Sequence, residues 1–279
     1  MKNYFYLLFV LGLNLIYGQE YEADIFVNQK DTLPFRVLLP KNFNPQKFYP
    51  LVMVLHGSGE RGNDNELQLF HGSSLFQSEN FRAKYPAIVV FPQCPLNSYW
   101  ASVKEDYQTS SLEKKYTYAK SLQKYPQLET VEAFMFFLED RYRIDPKRRY
   151  VGGLSMGGMG TFELVGRNPD YFAAAFPICG GANPNWASLL SKTPMWIFHG
   201  EADDVVWVEH SKRMFRALKK INAPVKLTLY PDVDHESWHN AFAEPDLMKW
   251  LFSHQKINLI FLMMLITRKA EVYNLNINL

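Results

Sequence analysis

The stretch Tyr150-Val151-Gly152-Gly153-Leu154-Ser155-Met156-Gly157-Gly158 decides the reading of this chain. An apolar run over 150–154 has the look of a short buried strand. It passes directly into G-x-S-x-G at 153–157, and a helical pattern follows over 157–167. A serine at the tip of so tight a strand-to-helix turn leaves no room for side chains two residues before or after it, which accounts for Gly153 and Gly157. The serine hydroxyl then projects above the sheet edge, and the Met156 N–H at the helix start points toward a developing oxyanion. The five-residue pattern alone is weak, and its setting between strand and helix supplies the specificity. A phosphate loop is excluded, because neither G-x-G-x-x-G nor GxxxxGK[ST] can be laid on these glycines.

Working outward, apolar runs bounded by turn signals alternate with helical patterns, which predicts an α/β fold. Strands are expected at 24–28, 35–39, 51–55, 87–91, 150–154, 174–178, 195–198 and 226–230, about eight in all. Several are continuous apolar runs, as a sheet covered on both faces requires. Helices are expected at 128–142, 157–167, 208–220 and 246–254. The Tyr-, Lys- and Ser-rich stretch 97–127 is too long for an ordinary connection and reads as an insertion, with a lid as the alternative.

An alkoxide nucleophile needs a base, and the base needs an orienting acid; on such a sheet they follow later strands in the order Ser, Asp, His. After the strand 195–198 comes His199-Gly200-Glu201-Ala202-Asp203-Asp204, and Asp203 is the expected acid. Asp204 has another task open to it at the start of the next helix. After the last strand, Tyr230-Pro231-Asp232-Val233-Asp234-His235 makes His235 the expected base, with His239 its rival. His235-Glu236-Ser237-Trp238-His239 also reads H-E-x-x-H, a zinc-protease pattern. Its extension fails at Phe242 and Pro245, and Pro231 and Pro245 leave little room for a long helix. No metal and no cofactor are therefore expected.

Composition agrees with a folded catalyst. The chain has 279 residues, 47% hydrophobic and 21% charged, so neither a disordered tail nor a polytopic membrane protein is expected. Thirty Lys and Arg against 28 Asp and Glu leave +2 with no basic run, so nucleic acid is not an expected partner. Cys94 and Cys179 are too few for a disulfide scaffold or a cysteine zinc site; they read as small buried hydrophobes, with a pairing of the two as the alternative in an exported chain.

The pieces 55–62 (LHGSGERG), 91–95 (FPQCP), 153–158 (GLSMGG), 177–181 (PICGG), 198–200 with Asp203, and 235–238 (HESW) together resemble the α/β-hydrolase esterases of the phospholipase/carboxylesterase, feruloyl-esterase and polyhydroxybutyrate-depolymerase-like kind. The resemblance covers 35–253. It implies an α/β-hydrolase fold with a mostly parallel central sheet and a serine carboxylic-ester hydrolase with Ser155, Asp203 and His235 as catalytic triad. It also implies an oxyanion hole from the Ser58 and Met156 N–H groups. Trp207 stands where the family usually has proline. Glu60 and Arg61 either touch substrate or form an ion pair bracing the loop. Trp100 and Trp238 line an acyl or sugar pocket or belong to the core, while His56 and His199 read as structural. The substrate that the resemblance implies is a small-molecule or polymer-linked ester, and export would favour an acyl ester of extracellular polysaccharide. A lysophospholipase or serine peptidase uses the same machinery, and an inert binding protein would be expected to lack a triad position.

At the ends, Lys2 precedes an apolar run over 4–17 that closes on Gly18, the layout of a signal peptide at 1–18. The expected organisation is therefore an exported protein, periplasmic or secreted, with a catalytic domain at 19–254 and an apolar tail of unknown role at 255–279. Neither apolar end is long enough for a stable membrane span.

Overall fold

Residues 49–55 show why the chain folds as it does: every residue of this run is buried, with Leu51, Met53 and Leu55 packed into one core and Val52 and Val54 into another. Side chains alternate across a strand, so a strand apolar at every position must be covered on both sides. The structure, a computed structural model, describes residues 20–28 and 31–256. The expected signal peptide and nearly all of the tail lie outside the described residues.

The strands are β1 (Glu22–Val27), β2 (Thr32–Leu38), β3 (Tyr49–Leu55), β4 (Ile88–Pro92), β5 (Val103–Glu105), β6 (Tyr116–Tyr118), β7 (Ile144–Leu154), β8 (Ala174–Ile178), β9 (Met195–Gly200) and β10 (Val225–Tyr230). The helices are α1 (Ser73–Gln77), α2 (Glu79–Lys84), α3 (Leu112–Lys115), α4 (Pro126–Arg141), α5 (Met156–Arg167), α6 (Ala187–Leu190), α7 (Glu209–Lys220), α8 (Trp238–Ala243) and α9 (Leu247–Ser253). Eight strands form one sheet in the order β1-β2-β4-β3-β7-β8-β9-β10. The β1–β2 and β2–β4 pairs are antiparallel, and every pair from β4 through β3 to β10 is parallel. Helices α4, α5, α6 and α7 contribute to the core on one face, and α1, α2, α8 and α9 to the core on the other.

All eight expected strands are present, and the four expected helices lie within two residues of their predicted bounds. β7 starts at Ile144 rather than at 150, because 144–149 carries charges that hide a strand from an apolar-run reading. The short helices α1 and α2 went unpredicted, since five or six residues cannot display a helical period. The 97–127 stretch holds the antiparallel pair β5–β6 and docks on the sheet's helices. Ser102 donates to the buried Glu163 of α5 from its backbone N–H (2.7 Å) and its hydroxyl, and Arg213 of α7 pairs with Glu113 of α3.

Candidate active site

β7 is a central strand, and α5 begins at Met156, so Ser155 occupies the turn between them with φ 53° and ψ −116°. A positive φ is strained for serine, and the strain is held by its surroundings. The Ser155 N–H donates to Ile178 O (2.9 Å), and the two flanking glycines pack against backbone. A Cβ on Gly157 would stand 2.0 Å from Leu55 O, and one on Gly153 would stand 2.6 Å from both Leu55 O and Gly157 O. Gly153 and Gly157 thus do the work the sequence assigned them: no side chain fits.

The loops after β9 and β10 bring the other two expected residues to this turn. His235 Nε2 lies 2.9 Å from Ser155 Oγ, and His235 Nδ1 lies 2.8 Å from Asp203 Oδ2. Nδ1 faces a carboxylate and so carries the proton, which leaves Nε2 free to accept from the serine hydroxyl. Asp203 Oδ1 accepts from the Val205 and Val206 N–H groups at 2.9 and 2.8 Å. Burial opposes ionisation of Asp203, but the hydrogen bonds from His199 and His235 outweigh it and hold the carboxyl well below the usual carboxylate range.

His199, read from the sequence as structural, is a third partner in this arrangement. Its Nε2 lies 3.0 Å from Asp203 Oδ2 and 2.9 Å from Val206 O, and its Nδ1 lies 2.8 Å from Ser211 Oγ. Two oxygens at Nε2 place the proton there. The available signal was a histidine at a strand end four residues before the acid. Asp204 is exposed, and the helix it was offered as capping starts only at Glu209, with Val208 at its N-cap. His239 is exposed, and its Nε2 lies 3.9 Å from Glu236 Oε2. α8 starts at Trp238, so His235 precedes the helix and does not stand one helical turn from His239. Both His235 ring nitrogens are already engaged by Ser155 and Asp203.

The two expected oxyanion donors begin helical turns. Met156 is the first residue of α5, and Ser58 the first of the 3-10 turn Ser58–Glu60. Such N–H groups have no partner within their own helix. A Cβ on Gly57 would lie 3.8 Å from Ser155 Cβ and 3.0 Å from Glu60 Oε2, so the Ser58 loop passes close over the serine. His56 anchors it: Nε2 accepts from the Cys94 N–H (2.9 Å), so Nδ1 carries the proton and donates to Gly57 O (2.6 Å). Burial pushes the His56 pKa down to about 4, which keeps the ring neutral.

The expected Glu60–Arg61 ion pair is replaced by two separate attachments. Arg61 donates to Ser58 O and Ser98 O, whereas Glu60 reaches His71 at 3.8 Å. Trp100 is fully buried, packed beside His56, and belongs to the core. Trp238 lies edge-on to His235 with ring centres 5.4 Å apart, so it walls the site. Cys94 and Cys179 are buried free thiols, and burial pushes the Cys94 thiol up to about 12.

A serine on the β7–α5 turn, with a carboxylate after β9 and a histidine after β10, defines the α/β-hydrolase class. Over residues 28–250 the chain matches the Putative esterase family, and it belongs to that family. It is 28% identical over 172 residues to the bifunctional acetylxylan esterase/xylanase XynS20E of Neocallimastix patriciarum, an overlap covering 61% of this chain and 21% of that protein. The chain thus spans about a fifth of that relative's length. Among solved structures, a thermostable esterase superposes with a TM-score of 0.75 at 34% identity, covering 84% of this chain and 63% of the other. The CE1 ferulic acid esterase of Anaeromyces mucronatus superposes with a TM-score of 0.61 at 17% identity over 80% of this chain and 88% of that one, a likeness of fold. Among the described residues, no helix is long and apolar enough to cross a membrane.

Proposed function

We propose that this protein is an exported serine carboxylic-ester hydrolase whose triad is Ser155, His235 and Asp203 and whose substrates are acyl esters of extracellular polysaccharide. The observation that carries the reading is the continuous hydrogen-bonded path from Ser155 Oγ through His235 to Asp203, built on a strained turn in a family of esterases. His235 takes the Ser155 proton as Oγ attacks the ester carbonyl, and Asp203 stabilises the imidazolium without accepting its proton. The Ser58 and Met156 N–H groups bind the tetrahedral oxyanion. His235 then protonates the departing alcohol, and a water, deprotonated by the same imidazole, releases the acid from the acyl-enzyme. Similarity to an acetylxylan esterase supports the polysaccharide assignment, and the leader-like layout of 1–18 supports export of a catalytic unit at 19–254.

A fluorophosphonate probe tests the mechanism. It should label the protein at Ser155, and Ser155→Ala should remove the label and lower kcat by about 10⁴ or more, because the three residues act as a unit. Normal turnover by Ser155→Ala would defeat the serine mechanism. A panel of acetylated xylan, lysophospholipid and peptide substrates should show turnover of the sugar ester, and preferential turnover of either other class would replace that part of the reading.

A further inference from the structure

Among the described residues, six other than glycine take a positive φ: Asn42, Asn65, Ser155, Cys179, Asn222 and Asp232. Four of them are Asn or Asp, whose short polar side chains tolerate that conformation. The remaining two, Ser155 (53°) and Cys179 (39°), touch each other. The Ser155 N–H donates to Ile178 O at 2.9 Å and also to Cys179 Sγ at 3.3 Å. The turn of the nucleophile accounts for the first outlier but not for the second. Cys179 follows β8 and precedes Gly180 and Gly181, and glycine in its place would take a positive φ without strain. A strained residue persists where its surroundings hold it, and here the Cys179 N–H donates to Phe198 O at 2.8 Å. The position carries a side chain at a cost in backbone strain, so the sulfur itself is what needs explaining.

Its surroundings give that explanation. β8 lies in the sheet between β7, which leads into Ser155, and β9, which leads into the Asp203 loop. Ser237, two residues beyond His235, stands at the N-cap of α8, where a serine ordinarily accepts from the helix, yet it makes no such bond. Its hydroxyl is fully buried without a full hydrogen bond, and the Cys179 sulfur is the polar atom that faces it. Burial, and after it the Asp203 charge, push the Cys179 thiol up, so the sulfur stays protonated. A buried, protonated thiol is neither a nucleophile nor a ready target for oxidation. Its contribution is therefore geometric.

We propose that Cys179 is a positioning residue of this enzyme, its sulfur holding the Ser155 backbone and the Ser237 hydroxyl together so that the nucleophile and its base stay within proton-transfer distance. The proposal rests on the triad reading above and deepens it. Two acceptors on the one Ser155 N–H fix the plane of its peptide, and with it the direction in which the side chain leaves the turn. Ser237, held on the same sulfur, fixes the loop that carries His235 to Nε2 at 2.9 Å from Ser155 Oγ. Cys179 touches neither reacting atom and acts through these two residues.

The test measures the rate constant for labelling of the full-length enzyme by a fluorophosphonate, a step that depends on Ser155 and its base and on no product release. Urea unfolding of each variant checks that it is folded. Cys179→Ala should react about tenfold more slowly than wild type, as a small misplacement of reacting groups does. Cys179→Ser carries the same backbone strain as Cys179→Ala but restores a polar atom, and should return to within about twofold of wild type. Ser237→Ala should slow labelling about threefold, the loss of one weak contact to sulfur, and should add nothing to Cys179→Ala, because both changes break one arrangement. Wild-type rates in folded Cys179→Ala would overturn the proposal, as would a Cys179→Ser variant as slow as Cys179→Ala. If Cys179→Ala does not fold, a wild-type rate in Ser237→Ala overturns it instead. A wild-type enzyme that takes no label would remove the serine mechanism itself, an outcome distinct from equal labelling of every variant.

Discussion

Asp203 shows how much one residue's neighbours decide. Two imidazoles share its Oδ2 and two backbone N–H groups hold its Oδ1, while Asp204, adjacent in sequence, sits in solvent. Asp203→Asn should keep the fold and lower kcat by about 10⁴, the loss known for the equivalent change in the serine-protease template, because the amide favours the wrong His235 tautomer. Asp204→Asn should stay within about 0.5 kcal/mol of wild type in urea unfolding and retain turnover. The reverse kinetic ranking would mean that the acid is Asp204. His199→Phe should cost about 1–3 kcal/mol, because Val206 O and Ser211 Oγ lose a buried partner. Its kcat should fall as well, since Asp203 loses a donor that fixes its orientation. A variant as stable and active as wild type would show that Asp203 is held by its backbone donors and His235 alone.

At the scale of elements, the β7–α5 turn and the 97–127 segment meet on one helix. The turn has no slack: Gly157→Ala places a Cβ 2.0 Å from Leu55 O, a backbone atom that cannot swing aside. The variant should lose turnover and about 3 kcal/mol or more of stability, as overpacking against a fixed backbone does. Wild-type stability in that variant would show a looser turn than described. Further along α5, Glu163 is fully buried, pairs with Arg167 at 2.7 Å and accepts both donors of Ser102. Glu163→Ala should cost about 3 kcal/mol, because it leaves the Arg167 charge without its partner and Ser102 without its acceptor. The same change should expose 103–118 to limited proteolysis, and cleavage no faster than in wild type would show that the segment is anchored by its other contacts. The Glu163–Arg167 pair is an i,i+4 spacing on the expected helix, but the contact with Ser102, 61 residues away, was not legible in the sequence. The bounds of α5 were legible, because glycines, apolar period and strand boundary all coincide there.

For the whole molecule, acid stability follows from two buried histidines. Burial pushes His56 and His210 down to about 4, helped at His210 by the Arg213 charge, so both stay neutral in the fold while the unfolded chain binds protons below about 6.5. The unfolded state then holds more protons, so stability is complete above about pH 6.5 and falls as the pH drops toward 4, by on the order of 3 kcal/mol for each ring. Urea midpoints measured from pH 7 to 4.5 should show that decline. His210→Phe should flatten it, and an unchanged slope in that variant would remove His210 from the account. The sequence by itself determined the eight strands, the Ser155 turn and the loops that carry Asp203 and His235, because apolar runs, tight-turn glycines and loop positions are local properties carried by neighbouring residues. Only the tertiary structure decided that His199 shares Asp203, that Glu60 reaches His71 and not Arg61, and that Phe70 and Trp238 enclose one cavity. Phe70 and Trp238 lie far apart in the chain, and even the near neighbours His199 and Asp203, or Glu60 and His71, meet only where a loop folds back against the packed sheet, a path that no local pattern encodes.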